Sequence, residues 1–270
     1  MIRWIGNRFA MITALLVLFY LFLPVAYTFA FSFNNYKKSN ISWNPEGSPT
    51  LKHWKDPCGA PGVCESLVTS IQIGVIATVI ATVLGTMLAF AMVRHRFRGR
   101  GTSNVLVFVP MATPEIVLGA SLLTIFVQGF SNVGLQLGFW TIVIAHIMFC
   151  VSFVALTVKA RVRGFDWTLE DASLDLGCSP WRTFRKVTFP LILPGIMAAA
   201  LLSFALSLDD YIITDFTKGE YVTFPIQVNN QFRISFPPQV NVLATIILVV
   251  SVLLLVVTSV REDRSSVVGR

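Results

Sequence analysis

The chain has 270 residues, of which 54% are hydrophobic and only 13% charged, with a formal net charge of +7. Soluble domains carry about 25% charged residues, so this composition excludes an ordinary soluble globular protein and points to the membrane. The positive balance reflects loop topology, and a nucleic-acid partner is not implied.

Two charge-free runs, Phe9–Tyr36 and Ser66–Val93, come first along the chain, and each exceeds the ~20 residues a spanning helix needs. The region from Gly101 to Val158 holds one charge, Glu115, and is too long for one span. It divides at Gln128-Gly129-Phe130-Ser131-Asn132-Val133-Gly134, a turn-like cluster. Val187–Leu208 and Ile234–Val260 complete the set. The expected fold is an all-α membrane protein with six transmembrane helices, near 9–33, 67–93, 104–127, 139–158, 190–210 and 240–260. The chain reads as a single transmembrane domain over 1–270, without repeats. Arg3 and Arg8 precede an apolar stretch well beyond the ~7–15 residues of a signal core, so the first run reads as an uncleaved span.

Orientation follows from Lys and Arg. With six spans and both ends on one side, that side receives 15 of the 21 basic residues. They include the cluster Arg94, Arg96, Arg98 and Arg100, and Lys159, Arg161, Arg163, Arg182, Arg185 and Lys186. Lys37, Lys38, Lys52, Lys55, Lys218 and Arg233 fall on the other side. Both termini are therefore expected in the cytoplasm.

Cys58 and Cys64 lie on the outer loop between the first two spans, separated by a Gly- and Pro-containing stretch. That compartment permits oxidation, so a disulfide is expected, two free thiols being the alternative. His53 is the only nearby histidine and no fourth ligand is apparent, so no metal site is expected.

A polar insert, 164–189, interrupts the apolar pattern on the cytoplasmic side. Thr168 can cap a helix, with Asp171 three residues on. Leu169, Ala172 and Leu176 then fall on one stripe, with Glu170 and Asp175 off it. Gly177 is placed to end this helix in a left-handed conformation. Ser179-Pro180 then supplies a cap and a first-turn proline for the next helix, which leads into the fifth span. The insert is too short to fold alone, and its apolar stripe needs a groove from its own bundle or from another subunit.

The spacing Asp171-Ala172-Ser173, then Gly177, then Val187-Thr188-Phe189-Pro190 resembles the signature loop of ABC importer permeases. That loop reads Glu-Ala-Ala, three residues, Gly, nine residues, then Ile-x-Leu-Pro. Ser207-Leu208-Asp209-Asp210-Tyr211-Ile212-Ile213, Pro114-Glu115-Ile116-Val117 and the segment from Pro238 to Thr245 resemble the spermidine/putrescine permease group, most of all its second permease subunit. The resemblance implies a type I importer permease fold. It implies a coupling helix docked on an ATPase subunit through Glu170, Asp171, Ala172, Ser173, Leu176, Gly177 and Pro190. It also implies two ATPase subunits, a second permease subunit, an extracytoplasmic substrate-binding protein, and the bacterial cytoplasmic (inner) membrane as location. Related permeases carry ferric iron, phosphonates or other small solutes.

Three carboxylates lie in or near spans, where ionisable groups usually face an interior or a water-filled path. Glu115 is either a helix-break residue beside Pro114 or a substrate-path residue. Asp209 and Asp210, with Tyr211, either mark where the fifth span leaves the bilayer or line a path for a cation. From Asp209 to Arg233 the chain holds four carboxylates against two cations, a net of −2 in a chain of +7, which favours a cationic solute. No Gly-rich phosphate loop with Lys-Ser/Thr occurs, so the chain is not expected to be an enzyme or to hold a cofactor of its own; ATP and Mg²⁺ belong to the partner ATPase. An integral-membrane enzyme is the competing class, but His53, His95 and His146 are scattered and no catalytic motif is present. A self-contained channel or carrier would not need the insert.

Overall fold

A computed structural model describes the backbone of residues 2–36, 40–129, 134, 136–234 and 236–267, and the side chains of these except 2–7, 10, 251 and 254–267. Lys37, Lys38, Arg270 and the middle of the expected turn at 128–134 lie outside the described residues. Every regular element among the described residues is helical: α1 (Ile2–Phe31), α2 (Lys52–Lys55), α3 (Val63–Arg94), α4 (Arg100–Ala112), α5 (Glu115–Thr124), α6 (Phe139–Arg163), α7 (Thr168–Asp175), α8 (Pro180–Thr183), α9 (Phe189–Asp209), α10 (Ile212–Thr217), α11 (Phe224–Ile234) and α12 (Pro238–Val267). Two π-helical turns, Ile125–Gly129 and Phe184–Thr188, join α5 to its loop and α8 to α9.

Among the described residues, four helical stretches are long and apolar enough to cross a membrane: Met11–Phe31, Val63–Arg94, Phe139–Arg163 and Pro180–Asp209. The expected third span is broken, since α4 and the stretch Glu115–Gly129 meet at 103°. Pro114 is the cause. A residue before proline is driven out of the helical region, and Thr113 is extended at ψ 131°. Counted as one span, the bent pair is a fifth among the described residues, and α12 occupies the place expected for a sixth.

The chain forms two compact units. One contains residues 1–64 and 227–270, where α1 and α12 pack together. The loop that follows α1 is tied by side-chain amides. Asn34 donates to Asn40 Oδ1 and to the Ser42 carbonyl (2.8 Å), and Asn40 donates to the Phe31 carbonyl (2.8 Å). Cys58 and Cys64 are joined as a disulfide with their Cα atoms 5.3 Å apart.

The other unit, residues 65–226, is built on α6, which packs against α4, α9 and α10. Its core runs through Phe149, Val154, Val158 and Val162 of α6 and Ile192, Ile196 and Ala199 of α9. Where apolar helices have no water to drive them together, close approach of small residues supplies the packing. Gly85 of α3 shows this: a Cβ there would lie 2.7 Å from Val154 and 3.0 Å from the Ala155 backbone.

Candidate functional site

The polar insert is held on the surface of the second unit by three capping devices. Trp167 precedes α7 with helical dihedrals and makes no side-chain cap bond. The expected Thr168 cap is replaced by Asp166, whose Oδ1 accepts from the Thr168 N–H (3.1 Å) and hydroxyl (2.7 Å). A carboxylate two residues upstream reaches the free amides of the first turn and suits the positive end of the helix. At the other end, the Gly177 N–H donates to the Leu174 carbonyl (2.9 Å) and the Cys178 N–H to the Ser173 carbonyl (3.1 Å). This is a Schellman closure, which requires a left-handed residue, and Gly177 has φ +83°. Ser179 then caps α8, with Pro180 in its first turn. From Pro180 the chain stays helical through the π turn, past Pro190, into α9.

The faces of α7 are reversed relative to an ordinary surface helix. Glu170 is 5% exposed and turned into the bundle. Ser173, one turn on, shares a 3.0 Å hydroxyl contact with Thr183 of α8. The apolar residues point outward: Leu169, Leu174 and Leu176 are exposed, Leu176 at 85%. Ala172 and Asp171 are exposed beside them. Trp181 of α8, 70% exposed, stacks on Phe184 at 5.9 Å and extends the apolar surface. The Leu169/Ala172/Leu176 stripe thus faces out, and Leu174, on the other flank of the buried Glu170/Ser173 face, and Trp181 of α8 are exposed as well. Periodicity within α7 could not reveal Trp181, which belongs to the next helix.

Glu170 is the residue whose placement departs most from the expected docking set. Its carboxylate takes a forked ion pair from Arg94, the last residue of α3, with Nη2–Oε2 at 2.9 Å and Nη1–Oε1 at 3.2 Å. It also accepts from the Thr188 hydroxyl in the π turn before α9. The Arg94 guanidinium lies over the Trp167 ring, 5.5 Å from its centroid. Glu170 is thus buried and tied within the chain, where a surface contact was expected.

The three carboxylates near the spans separate cleanly. Asp210 is buried, and its Oδ2 accepts from the Thr214 N–H (2.8 Å) and hydroxyl (2.8 Å) and lies 3.3 Å from His146 Nε2. His146 Nδ1 meets Ser207 Oγ at 2.7 Å. This network joins α6, the end of α9 and α10, and His146 was absent from the expected site. The signal available was an ionisable residue inside an otherwise charge-free span, which usually has a partner. Glu115 is exposed as the first residue of α5, where the helix dipole favours an anion. Asp209 is exposed at the last position of α9, where the dipole disfavours one. Tyr211, half-buried, sits between α9 and α10.

Residues 66–262 match the family described as "Binding-protein-dependent transport system inner membrane component". The chain belongs to this family. Like its other members it is a multi-pass inner-membrane protein. Among relatives of this family, "Spermidine/putrescine transport system permease protein PotC" of Escherichia coli (strain K12) is 34% identical over 238 residues, 88% of this chain and 87% of that protein. "Putrescine transport system permease protein PotI" of the same organism is 33% identical over 85% of this chain and 82% of that one. A chain of the solved bacterial alginate ABC transporter, in complex with an alginate-pentasaccharide-bound periplasmic protein, shares the fold at a TM-score of 0.66. It is 13% identical, with 96% of this permease chain and 94% of that one covered.

Proposed function

We propose that this permease is one membrane subunit of an ATP-driven importer, forming half of the translocation path for a polyamine such as spermidine or putrescine. The observation that carries the reading is the reversed α7. A helix that keeps Glu170 and Ser173 inside and turns Leu169, Leu174 and Leu176 outward needs an apolar groove on another subunit. The relatives named for spermidine and putrescine transport, aligned over most of both chains, support the substrate class. Asp209 adds a chemical argument. An exposed carboxylate at the unfavourable end of a helix, with no ion-pair partner among the described residues, would have its field offset by a visiting cation.

In this reading α7 is the coupling helix and the residues Asp171 to Gly177 present it to an ATPase subunit. Both termini and the insert face the cytoplasm, with most of the basic residues. Two ATPase subunits bind and hydrolyse MgATP, a second permease completes the path, and an extracytoplasmic protein delivers the solute. Purification through a tag on this chain tests the assembly. An ATPase should co-purify in detergent, and spermidine with its binding protein should stimulate ATP hydrolysis. Stimulation by ferric iron or a phosphonate in place of polyamines would move the chain to another importer class.

A further inference from the structure

Glu170 joins three elements that the sequence separates: the end of α3, the coupling-helix candidate α7, and the π turn leading into α9. The leucines of α7 are exposed, and its buried side chain, Glu170, is polar. Its attachment is polar: the Glu170 carboxylate to Arg94 and Thr188, and Ser173 to Thr183. Of these, the Arg94–Glu170 pair is the only forked, charge-assisted link, a geometry that fixes direction as well as distance. Arg94 closes a 32-residue helix whose last turns are embedded, with Ala89 and Met92 at most 1% exposed. A displacement of α7 therefore pulls on α3 through Arg94, which the Glu170 carboxylate holds and the Trp167 ring underlies.

We propose that Arg94 and Glu170 form a mechanical latch that transmits movement of α7 to α3, and that both are positioning residues that do not touch the ATPase or the solute. The proposal rests on the importer reading. It assigns Glu170, the first acidic residue within α7, a role inside the permease, and it assigns Arg94 at the end of α3 a task besides setting topology. The carboxylate is satisfied on both oxygens within the chain, which leaves a neighbouring subunit nothing to bind.

The test uses the full complex in proteoliposomes with its binding protein and spermidine as the probe. The readout is solute moved per ATP hydrolysed. Glu170→Gln and Arg94→Gln should each keep the ATPase bound and hydrolysing while this ratio falls about tenfold, the equivalent of roughly 1.4 kcal/mol. The exchanged pair, Arg94→Glu with Glu170→Arg, should recover at least half of the wild-type ratio. Unchanged ratios in the single variants, loss of the ATPase from Glu170→Gln, or an exchanged pair as uncoupled as the singles would each overturn the latch. If the exchanged pair does not accumulate in the membrane, Arg94→Lys decides, because it keeps the charge and loses the fork. A ratio between wild type and Arg94→Gln supports the latch, and a ratio equal to either overturns it. A wild-type complex that hydrolyses no ATP overturns the importer reading and the latch with it, whereas a coupled wild type with unaffected variants overturns the latch alone.

Discussion

Replacing Gly177 by valine isolates the geometry of the coupling-helix candidate from everything around it. Gly177 sits at φ +83°, and an added Cβ would meet nothing within 4 Å. The cost of a side chain is therefore backbone strain alone. For an L-residue the left-handed region costs about 1–2 kcal/mol, and a β-branched residue sits at or above the upper end. Two kcal/mol shifts the closed turn against its opened forms by roughly thirtyfold. The two bonds that close the turn, Gly177 to Leu174 and Cys178 to Ser173, would be lost with it. Leu176, next to the turn and 85% exposed, would then be presented at the wrong angle. The expected outcome is a permease that reaches the membrane in normal amount but transports at a small fraction of the wild-type rate, with the ATPase released or uncoupled. Gly177→Asn is the control, because asparagine tolerates the left-handed region while being larger than alanine. It should keep most of the activity. Normal uptake by the valine variant, or an asparagine variant as poor as valine, would refute the strain argument.

Leu176→Ala should weaken co-purification of the ATPase by about tenfold or more without lowering protein level, since full burial of a leucine is worth about 1.5–3 kcal/mol; an unchanged pull-down would remove this side chain from the interface. Asp209→Asn should reduce uptake of spermidine several-fold with protein level intact, whereas Asp210→Asn should act mainly through folding, removing the charge from a buried network at a cost of about 1–3 kcal/mol and lowering the melting temperature of the purified complex. Equal effects of the two on both readouts would contradict the distinction drawn from their surroundings. Cys58→Ser should change transport only modestly, because a bond closing so short a ring contributes roughly 2 kcal/mol, mostly to loop order; mass spectrometry of non-reduced protein should show neither Cys58 nor Cys64 open to alkylation.

The parts of this molecule that local chemistry dictates could be read from the sequence. Apolar runs of spanning length and a Ser-Pro helix start each depend on neighbouring residues only, whereas the sharp break at Pro114 falls inside the stretch 104–127 that reads as one span. Gly177 was legible for the same reason: a glycine after a short amphipathic stretch is where a left-handed cap belongs. What was not legible depends on which distant element lies opposite. Arg94 and Glu170 are 76 residues apart, and nothing in either segment says that the two meet. Asp210 reads from the sequence as either an interface marker or a path residue, and neither reading reveals its partner His146, which lies in α6. Helical spacing also gave the phase of Glu170 relative to Leu169 but not its sense. The usual expectation puts leucine inside and glutamate outside, and here the order is inverted.

Uptake of labelled spermidine into proteoliposomes holding this chain, a second permease and an ATPase tests the central claim most directly. Accumulation should require internal ATP, with ADP inactive, and should require the external binding protein. Accumulation by this chain without the ATPase would make it a self-contained carrier, and no ATP-driven accumulation of either spermidine or putrescine would contradict the polyamine importer.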